Sequence, residues 1–162
     1  MVAARFMLWH YTTGDLLRAI LQSGVVRIAR ASALPGERPL AWISANQEFE
    51  PTAIKAAFDS AGRYRQLTLA QLAQNSGGLG RLGLSADNAE AMGFRRWPMA
   101  ARWARLPPDA IVAMERLGIE EGATPSDWWG GRAIPVSAFE AIEFRATSAE
   151  PWAPLKERGK AA

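Results

Sequence analysis

The one histidine of the chain, His10, lies in the segment Trp9-His10-Tyr11-Thr12. This segment ends a predicted strand and leads directly into a predicted helix. Amide groups at the start of such a helix can hold a phosphate or a carboxamide, and the imidazole can add a directed hydrogen bond. The alternative is a structural histidine whose ring nitrogens bond to neighbouring backbone groups.

A second polar strand end, Trp42-Ile43-Ser44, terminates in a hydroxyl. The motifs GxGxxG, GxxxxGK[ST], HExxH and GxSxG do not occur in the sequence. A chain with one histidine and no cysteine cannot build a multi-histidine metal site, a thiolate site or a disulfide. We therefore predict no metal, and we look for chemistry carried by histidine, hydroxyl and carboxylate groups.

The elements that must position these groups are short strands joined by helices of unequal length. Hydrophobic spacing, capping residues and turn residues predict helices over 14–23, 50–58, 68–74 and 107–121, strands over 5–12, 25–29, 40–44, 81–85 and 139–145, and a loop over 124–131. This order is typical of an α+β fold. Residues 1–148 are predicted to form one domain, and residues 149–162 a flexible tail.

The net charge of +3 is carried mostly by dispersed arginines. Residues 95–105 contain the basic stretch that is interleaved with aromatic residues: Arg95, Arg96, Trp97, Arg102, Trp103 and Arg105. Such a stretch could follow a nucleic-acid backbone. The alternative is a solvated helix face whose tryptophans point into the core.

No apolar run approaches the roughly 18 residues that a membrane helix needs. The apolar N-terminal stretch is short, contains Arg5 and lacks a small-residue cleavage site. Together with the absence of cysteine, these features predict a cytoplasmic protein without a membrane partner. We expect a monomer.

The run LWHYTTGDLLRAILQSGVV, followed by LAWISANQEFEPTA, resembles the N-terminal half of ADP-ribosyltransferase-fold proteins over roughly residues 6–53. The resemblance implies split mixed or antiparallel sheets with flanking helices, and NAD lying across the split. It implies that His10 contacts the nicotinamide-side ribose, with Tyr11 and Thr12 beside it. Trp42 and Ser44 would then lie by the nicotinamide.

The catalytic glutamate of that superfamily is not assigned by spacing. The diphtheria-toxin-like pattern has a tyrosine where this chain has Trp42 and Ser44, and Glu140 and Glu143 are one residue too far apart for the Glu-x-Glu pair of the cholera-toxin-like pattern. Glu140 is the first candidate, because it opens the last predicted strand. Glu50, which follows the second motif, is the rival, and Glu143 is the weaker choice.

Two further features could contact a nucleotide. Arg81, beside Gly80 and Gly83, could bind a pyrophosphate through its fork of donors, or could be a surface residue. The Trp128-Trp129 pair could stack on a base, or could close the end of a core.

The resemblance predicts an NAD-dependent ADP-ribosyltransferase-like enzyme, a glycosyltransferase that passes ADP-ribose to a protein or nucleic-acid acceptor. A bacterial or phage toxin or modification factor would fit this activity. One alternative is an NAD glycohydrolase. The other is a non-catalytic module that binds nucleic acid or protein through residues 95–105.

Overall fold

A computed structural model of the protein describes residues 6–28, 30 and 34–155. The strands are β1 (Leu8–Thr13), β2 (Val25–Val26), β3 (Ala41–Ser44), β4 (Ala56–Phe58), β5 (Tyr64–Gln66), β6 (Leu79–Leu84), β7 (Arg95–Arg96), β8 (Trp128–Gly131), β9 (Ile134–Pro135), β10 (Ala141–Arg145) and β11 (Ala153–Pro154). The helices are α1 (Gly14–Ser23), α2 (Leu69–Asn75), α3 (Ala86–Ala91), α4 (Met99–Trp103) and α5 (Pro108–Glu120). The predicted α+β class is confirmed.

Seven strands form one antiparallel sheet in the order β11-β10-β6-β1-β3-β8-β7. Its central strand, β1, pairs with β6 over six residue pairs, from Leu8 opposite Leu84 to Thr13 opposite Leu79. On its other side, β1 pairs with β3 at a single position among the described residues, Trp9 opposite Ser44. The ladder between β1 and β3 therefore ends just before His10, while β1 stays attached to β6.

Helix α1 begins and ends where the sequence predicts. The Thr13 hydroxyl accepts from the Leu16 amide, and Gly24 ends the helix in the left-handed conformation with φ 77°. The expected open helix start is wrong, however. The amides of Gly14 and Asp15 donate to the carbonyls of Gly78 and Ser76 at 2.8 and 3.0 Å, so they are not free to hold an anion.

The helix predicted over 50–58 is wrong. Pro51–Ala53 forms a single 3₁₀ turn that is capped by the Glu50 side chain, and Ala56–Phe58 then pairs with Tyr64–Gln66 as a hairpin. The turn between these strands is stabilised by Asp59, whose carboxylate accepts from the amides of Ala61 and Arg63. A proline is tolerated in the first turn of a helix, which is why a helix was expected here. The turn formed around Asp59 instead reverses the chain, so that the two segments pair as antiparallel strands.

Two predictions in the second half of the chain are also wrong. Residues 128–131, predicted as a loop, form the buried strand β8. Residues 95–105, for which a solvated helix face was one alternative, form the edge strand β7 and the short helix α4, although Trp97 and Trp103 do pack into the core as that alternative expects. The sequence also did not predict α3.

The predicted flexible tail is ordered up to Leu155. Its strand β11 pairs with β10, and Trp152 donates to the carbonyl of Glu48 at 3.2 Å. Residues 156–162 of that tail lie outside the described residues, as do residues 5 and 29 of two predicted strands. Within the described chain, no helix has the length and apolar character needed to cross a bilayer.

Candidate functional site

A cleft of about 500 Å³ lies at the point where the β1–β3 ladder ends. Its walls come from β1, β3, the turn that follows Glu50, helix α5 and Trp128 of β8. Six of the predicted cofactor-binding or catalytic residues line it: His10, Tyr11, Thr12, Trp42, Ser44 and Glu50. The volume is within the range of clefts that bind small molecules.

The His10 ring bridges the gap between the two strands. Its Nδ1 lies 2.9 Å from the carbonyl oxygen of Trp42. Because a carbonyl can only accept, Nδ1 carries the proton in this bond, and Nε2 of the neutral ring is left as an acceptor. His10 therefore bonds to backbone, as the structural alternative expects, and its ring also lines the cleft. A contact between His10 and a ligand stays a prediction.

The environment of His10 favours the neutral ring. Burial lowers its pKa below the ordinary value of 6.5, the hydrogen bond to Trp42 opposes this, and the positive charge of Lys55 lowers the pKa further. A neutral imidazole at about pH 7 can accept a hydrogen bond from a hydroxyl.

Glu50 is a buried carboxylate, only 6% exposed, that lines the same cleft as this histidine. One oxygen accepts from the Ser44 hydroxyl at 2.6 Å. The other accepts from the Thr52 hydroxyl at 2.8 Å, the Thr52 amide at 3.4 Å and Trp128 Nε1 at 3.1 Å. Uncharged donors thus hold the carboxylate in a fixed orientation and compensate part of the cost of its burial.

The negative charge of Glu50 affects the pKa of its neighbour Asp127. Burial raises the pKa of the Asp127 carboxyl, and the negative charge of Glu50 raises it further. Of the lysines and arginines that the structure describes, Lys55 alone lines the cleft, and it is exposed.

Helix α5 closes one side of the cleft through Gly118. A Cβ atom on Gly118 would lie 2.5 Å from the ring of Trp128, so only glycine lets the helix approach that ring. Trp128 in turn packs edge-on against Trp97, with ring centroids 5.2 Å apart. The exposed side chains of Met114 and Leu117 form an apolar rim on the same helix.

Tyr11 contributes to the cleft wall, but its hydroxyl proton is already used in a hydrogen bond within the protein. The ring packs against Phe49 with centroids 4.8 Å apart, and the hydroxyl donates to the carbonyl of Asn46. Burial raises the pKa of the Tyr11 phenol. A hydrogen bond donated by this hydroxyl to a cofactor would require the bond to Asn46 to break.

Arg81, predicted as a pyrophosphate ligand, does not line the cleft. Its guanidinium lies between the rings of Trp9 and Trp152, 3.9 and 4.5 Å from their centroids, and Nε donates to Glu143 at 2.6 Å. The predicted surface position is also wrong, because Arg81 is buried. Its donors bond to Glu143 of β10 and to the carbonyl of Gln47, and its stacking on Trp152 attaches the C-terminal segment to the sheet.

Glu140, the first candidate for the catalytic carboxylate, does not line the cleft either. It accepts from the amide of Ser85, at the start of α3. Strand β6 lies between β10 and β1. Glu140 immediately precedes β10, and since neighbouring strands are about 4.8 Å apart, it is roughly 10 Å from the β1–β3 gap. The structure therefore places Glu50, not Glu140, at the site.

Sequence reasoning missed Thr52, Lys55, Gly118 and the role of Trp128 in holding Glu50. Thr52 and Lys55 lie in the segment that was predicted as a helix, and Gly118 and Trp128 reach the site only through packing. The adjacent tryptophans were a usable signal, and the structure places Trp128 and Trp129 in the core.

Comparisons of the chain with protein-family models, with curated proteins and with solved structures found no match. Among the described residues, no group of three or more histidine, cysteine, aspartate or glutamate side chains could hold a metal ion.

Proposed function

We propose that the protein is an ADP-ribosyltransferase-like enzyme that uses NAD and transfers ADP-ribose to a protein or nucleic-acid acceptor. The observation that carries the proposal is the meeting of His10, Ser44 and Glu50 in one cleft. The resemblance over residues 6–53 implies the histidine and the serine, and Glu50 supplies the carboxylate that the reaction needs. The pairing of β1 with β3 is limited to Trp9 opposite Ser44 within a continuous seven-stranded sheet, and the cleft lies at this short pairing.

The reaction breaks the bond between C1′ of the ribose and the nicotinamide nitrogen. Nicotinamide leaves with the electron pair of that bond, and positive charge develops on the ribose in an oxocarbenium-like transition state. A nucleophile of the acceptor then forms the new bond to C1′ and releases its proton to solvent. The fixed carboxylate of Glu50 would stabilise the developing charge, which it does best because its orientation is preorganised.

The other residues of the cleft suit the remaining parts of NAD. The Nε2 acceptor of neutral His10 would receive a hydrogen bond from a ribose hydroxyl. The Trp42 and Trp128 side chains offer aromatic surface for a flat ring. Lys55 supplies a positive charge for the diphosphate.

Titration of the protein with NAD in a calorimeter tests the proposal. We expect measurable binding by the parent and binding about tenfold weaker in His10→Ala, as expected for one lost hydrogen bond. Gln74→Ala, at an exposed position on α2, is the control and should bind like the parent. A parent that does not bind NAD, or a His10→Ala variant that binds as the parent does, would refute the proposal.

Product analysis separates transfer from hydrolysis. Incubation with NAD should yield nicotinamide and an ADP-ribosylated acceptor, which mass spectrometry detects as an added mass. Release of nicotinamide with free ADP-ribose, in the presence of acceptors, would instead favour the glycohydrolase.

The module that binds through residues 95–105 is less well supported. Trp97 is buried, so its ring cannot serve as a stacking platform for bases. Arg96 lies over the buried ring of Trp129, 4.9 Å from its centroid.

A further inference from the structure

The hairpin β4–β5 presents two aromatic rings to solvent. Phe58 is 74% exposed and Tyr64 is 69% exposed. The two residues lie opposite each other across the strands, and their ring centroids are 5.2 Å apart. Large apolar side chains that stay in water as a pair mark a surface for a partner more often than isolated ones do.

The same hairpin carries a net positive charge. Residues 55–66 contain Lys55, Arg63 and Arg65 against one carboxylate, Asp59. Asp59 accepts from Arg63 Nε at 3.1 Å and lies 3.2 Å from Arg65 Nε, which holds both guanidinium groups next to the turn of the hairpin. Since each guanidinium has five N–H donors, both keep donors for another anion.

The hairpin is attached at the rim of the cleft. Lys55, the residue before β4, lines the cleft, and its carbonyl accepts from the Leu67 amide just after β5 at 3.0 Å. The Gln66 side chain donates to the carbonyl of Pro51 at 3.3 Å, in the turn that also contains Thr52. A partner bound on the hairpin would therefore lie close to the cleft opening.

We propose that this hairpin binds a single-stranded nucleic acid, with a base stacked on Phe58 and Tyr64 and backbone phosphates held by Arg63 and Arg65. A hairpin that carries both exposed rings and cations fits a polyanion whose bases have free faces, whereas in a duplex those faces are covered by neighbouring bases. The further statement that this single-stranded nucleic acid is the ADP-ribose acceptor rests on the proposed function. The binding surface itself does not.

Fluorescence anisotropy with a labelled oligo(dT) of about 20 nucleotides, at about 50 and 200 mM salt and without NAD, tests the surface. The double variant Phe58→Ala, Tyr64→Ala should bind about tenfold more weakly or worse. Phe58→Tyr keeps a ring and should bind like the parent. Phe6→Ala removes an exposed ring outside the hairpin and should also leave binding unchanged.

The double variant Arg63→Gln, Arg65→Gln should weaken binding mainly at low salt. It should reduce the slope of log affinity against log salt by about 1.4, which is the release expected for two single-strand phosphate contacts. Thermal melts of all variants would show that each is folded, because none of these exposed side chains contributes to the core.

No binding of oligo(dT) by a parent that binds NAD would overturn this inference and leave the proposed function standing. Binding of oligo(dT) by a parent that does not bind NAD would support the surface and refute the proposed function. If the parent binds no oligonucleotide but holds a cellular protein that the Phe58→Ala, Tyr64→Ala variant loses, the hairpin is a protein-docking surface and the inference is wrong.

Discussion

The carboxylate of Glu50 is positioned by side chains from three segments: Ser44 of β3, Thr52 of the following turn and Trp128 of β8. Ser44 and Thr52 are near Glu50 in the sequence, but the contact with Thr52 forms in a 3₁₀ turn where the sequence predicts a helix. Trp128 is 78 residues away and reaches Glu50 only because β3 pairs with β8. A group fixed in this way meets the requirement that catalytic electrostatics be arranged before the reaction.

Glu50→Gln keeps the shape of the side chain and removes its charge. We expect NAD affinity to change little and the rate of ADP-ribose transfer to fall about 10²- to 10³-fold, as for the loss of one electrostatic contact in a transition state. Steady-state release of nicotinamide, with calorimetric binding measured in parallel, separates the two effects. Glu140→Gln, outside the cleft, is the matched control and should retain the parent rate. Loss of activity in Glu140→Gln alone would return the assignment to Glu140.

The lowered pKa of His10 predicts a pH dependence of stability. Because the folded pKa lies below the ordinary value of 6.5, the unfolded chain binds the proton more readily. The stabilising contribution is thus complete above 6.5 and is lost as pH falls from there towards the folded pKa. Urea unfolding between about pH 7.5 and 5.5 should show a decreasing free energy of unfolding.

The variant His10→Gln, which cannot titrate, should show a flatter dependence over the same range. The raised pKa of Asp127 has the opposite effect, because it makes the protein less stable as pH rises. Its ordinary pKa of 3.8 lies well below that of histidine, so the upper part of the pH range reports on His10. Equal slopes for the parent and His10→Gln would show that the ring is not held neutral.

At the scale of elements, local signals explain which parts of the fold could be predicted. Helix α1 follows from the Thr13 cap and Gly24, both of which act within a few residues. Strand β8 does not, because its two glycines are typical of a turn. The rings and methyl groups of Phe94 and Leu40 occupy the space where Cβ atoms of Gly131 and Gly130 would lie, at 2.7 Å in each case. These glycines are therefore required by tertiary packing, which the sequence of the segment itself does not reveal.

Helix α5 offers a test of the cleft wall through Gly118→Ala. Alanine favours a helix by about 1 kcal/mol over glycine, but its Cβ would lie 2.5 Å from the Trp128 ring. Trp128 is held by Trp97 and Glu50, so we expect the clash to dominate and to cost about 1–3 kcal/mol in urea unfolding. Arg116→Ala, at an exposed position of α5, should change stability by less than about 0.5 kcal/mol. A more stable Gly118→Ala would show that the ring moves freely.

At the scale of the whole molecule, strand order decides which residues share a site. The predicted last strand was correct as an element, yet β6 separates it from β1, and no periodicity along the chain reveals that order. The C-terminal segment is ordered for a similar reason. Trp152 stacks on the guanidinium groups of Arg81 and Arg145, which come from β6 and β10. Composition predicts fraying there, because only the folded sheet brings these partners together.

The edge strand β7 lies two strands beyond β3, and its arginines line a second concavity with Glu90, Phe94 and Met99 rather than the cleft. Charge reversal with Arg95→Glu and Arg96→Glu should therefore leave NAD affinity, measured by calorimetry, within about twofold of the parent. The same variant should lower oligo(dT) affinity and its salt slope through the reduced net charge, but less than Arg63→Gln, Arg65→Gln does, because no exposed ring accompanies the charges on β7. A tenfold or greater loss of NAD affinity would show that the cleft is not the NAD site. A larger loss of oligonucleotide binding than in the hairpin variant would instead move the nucleic-acid contact from the hairpin to the sheet edge.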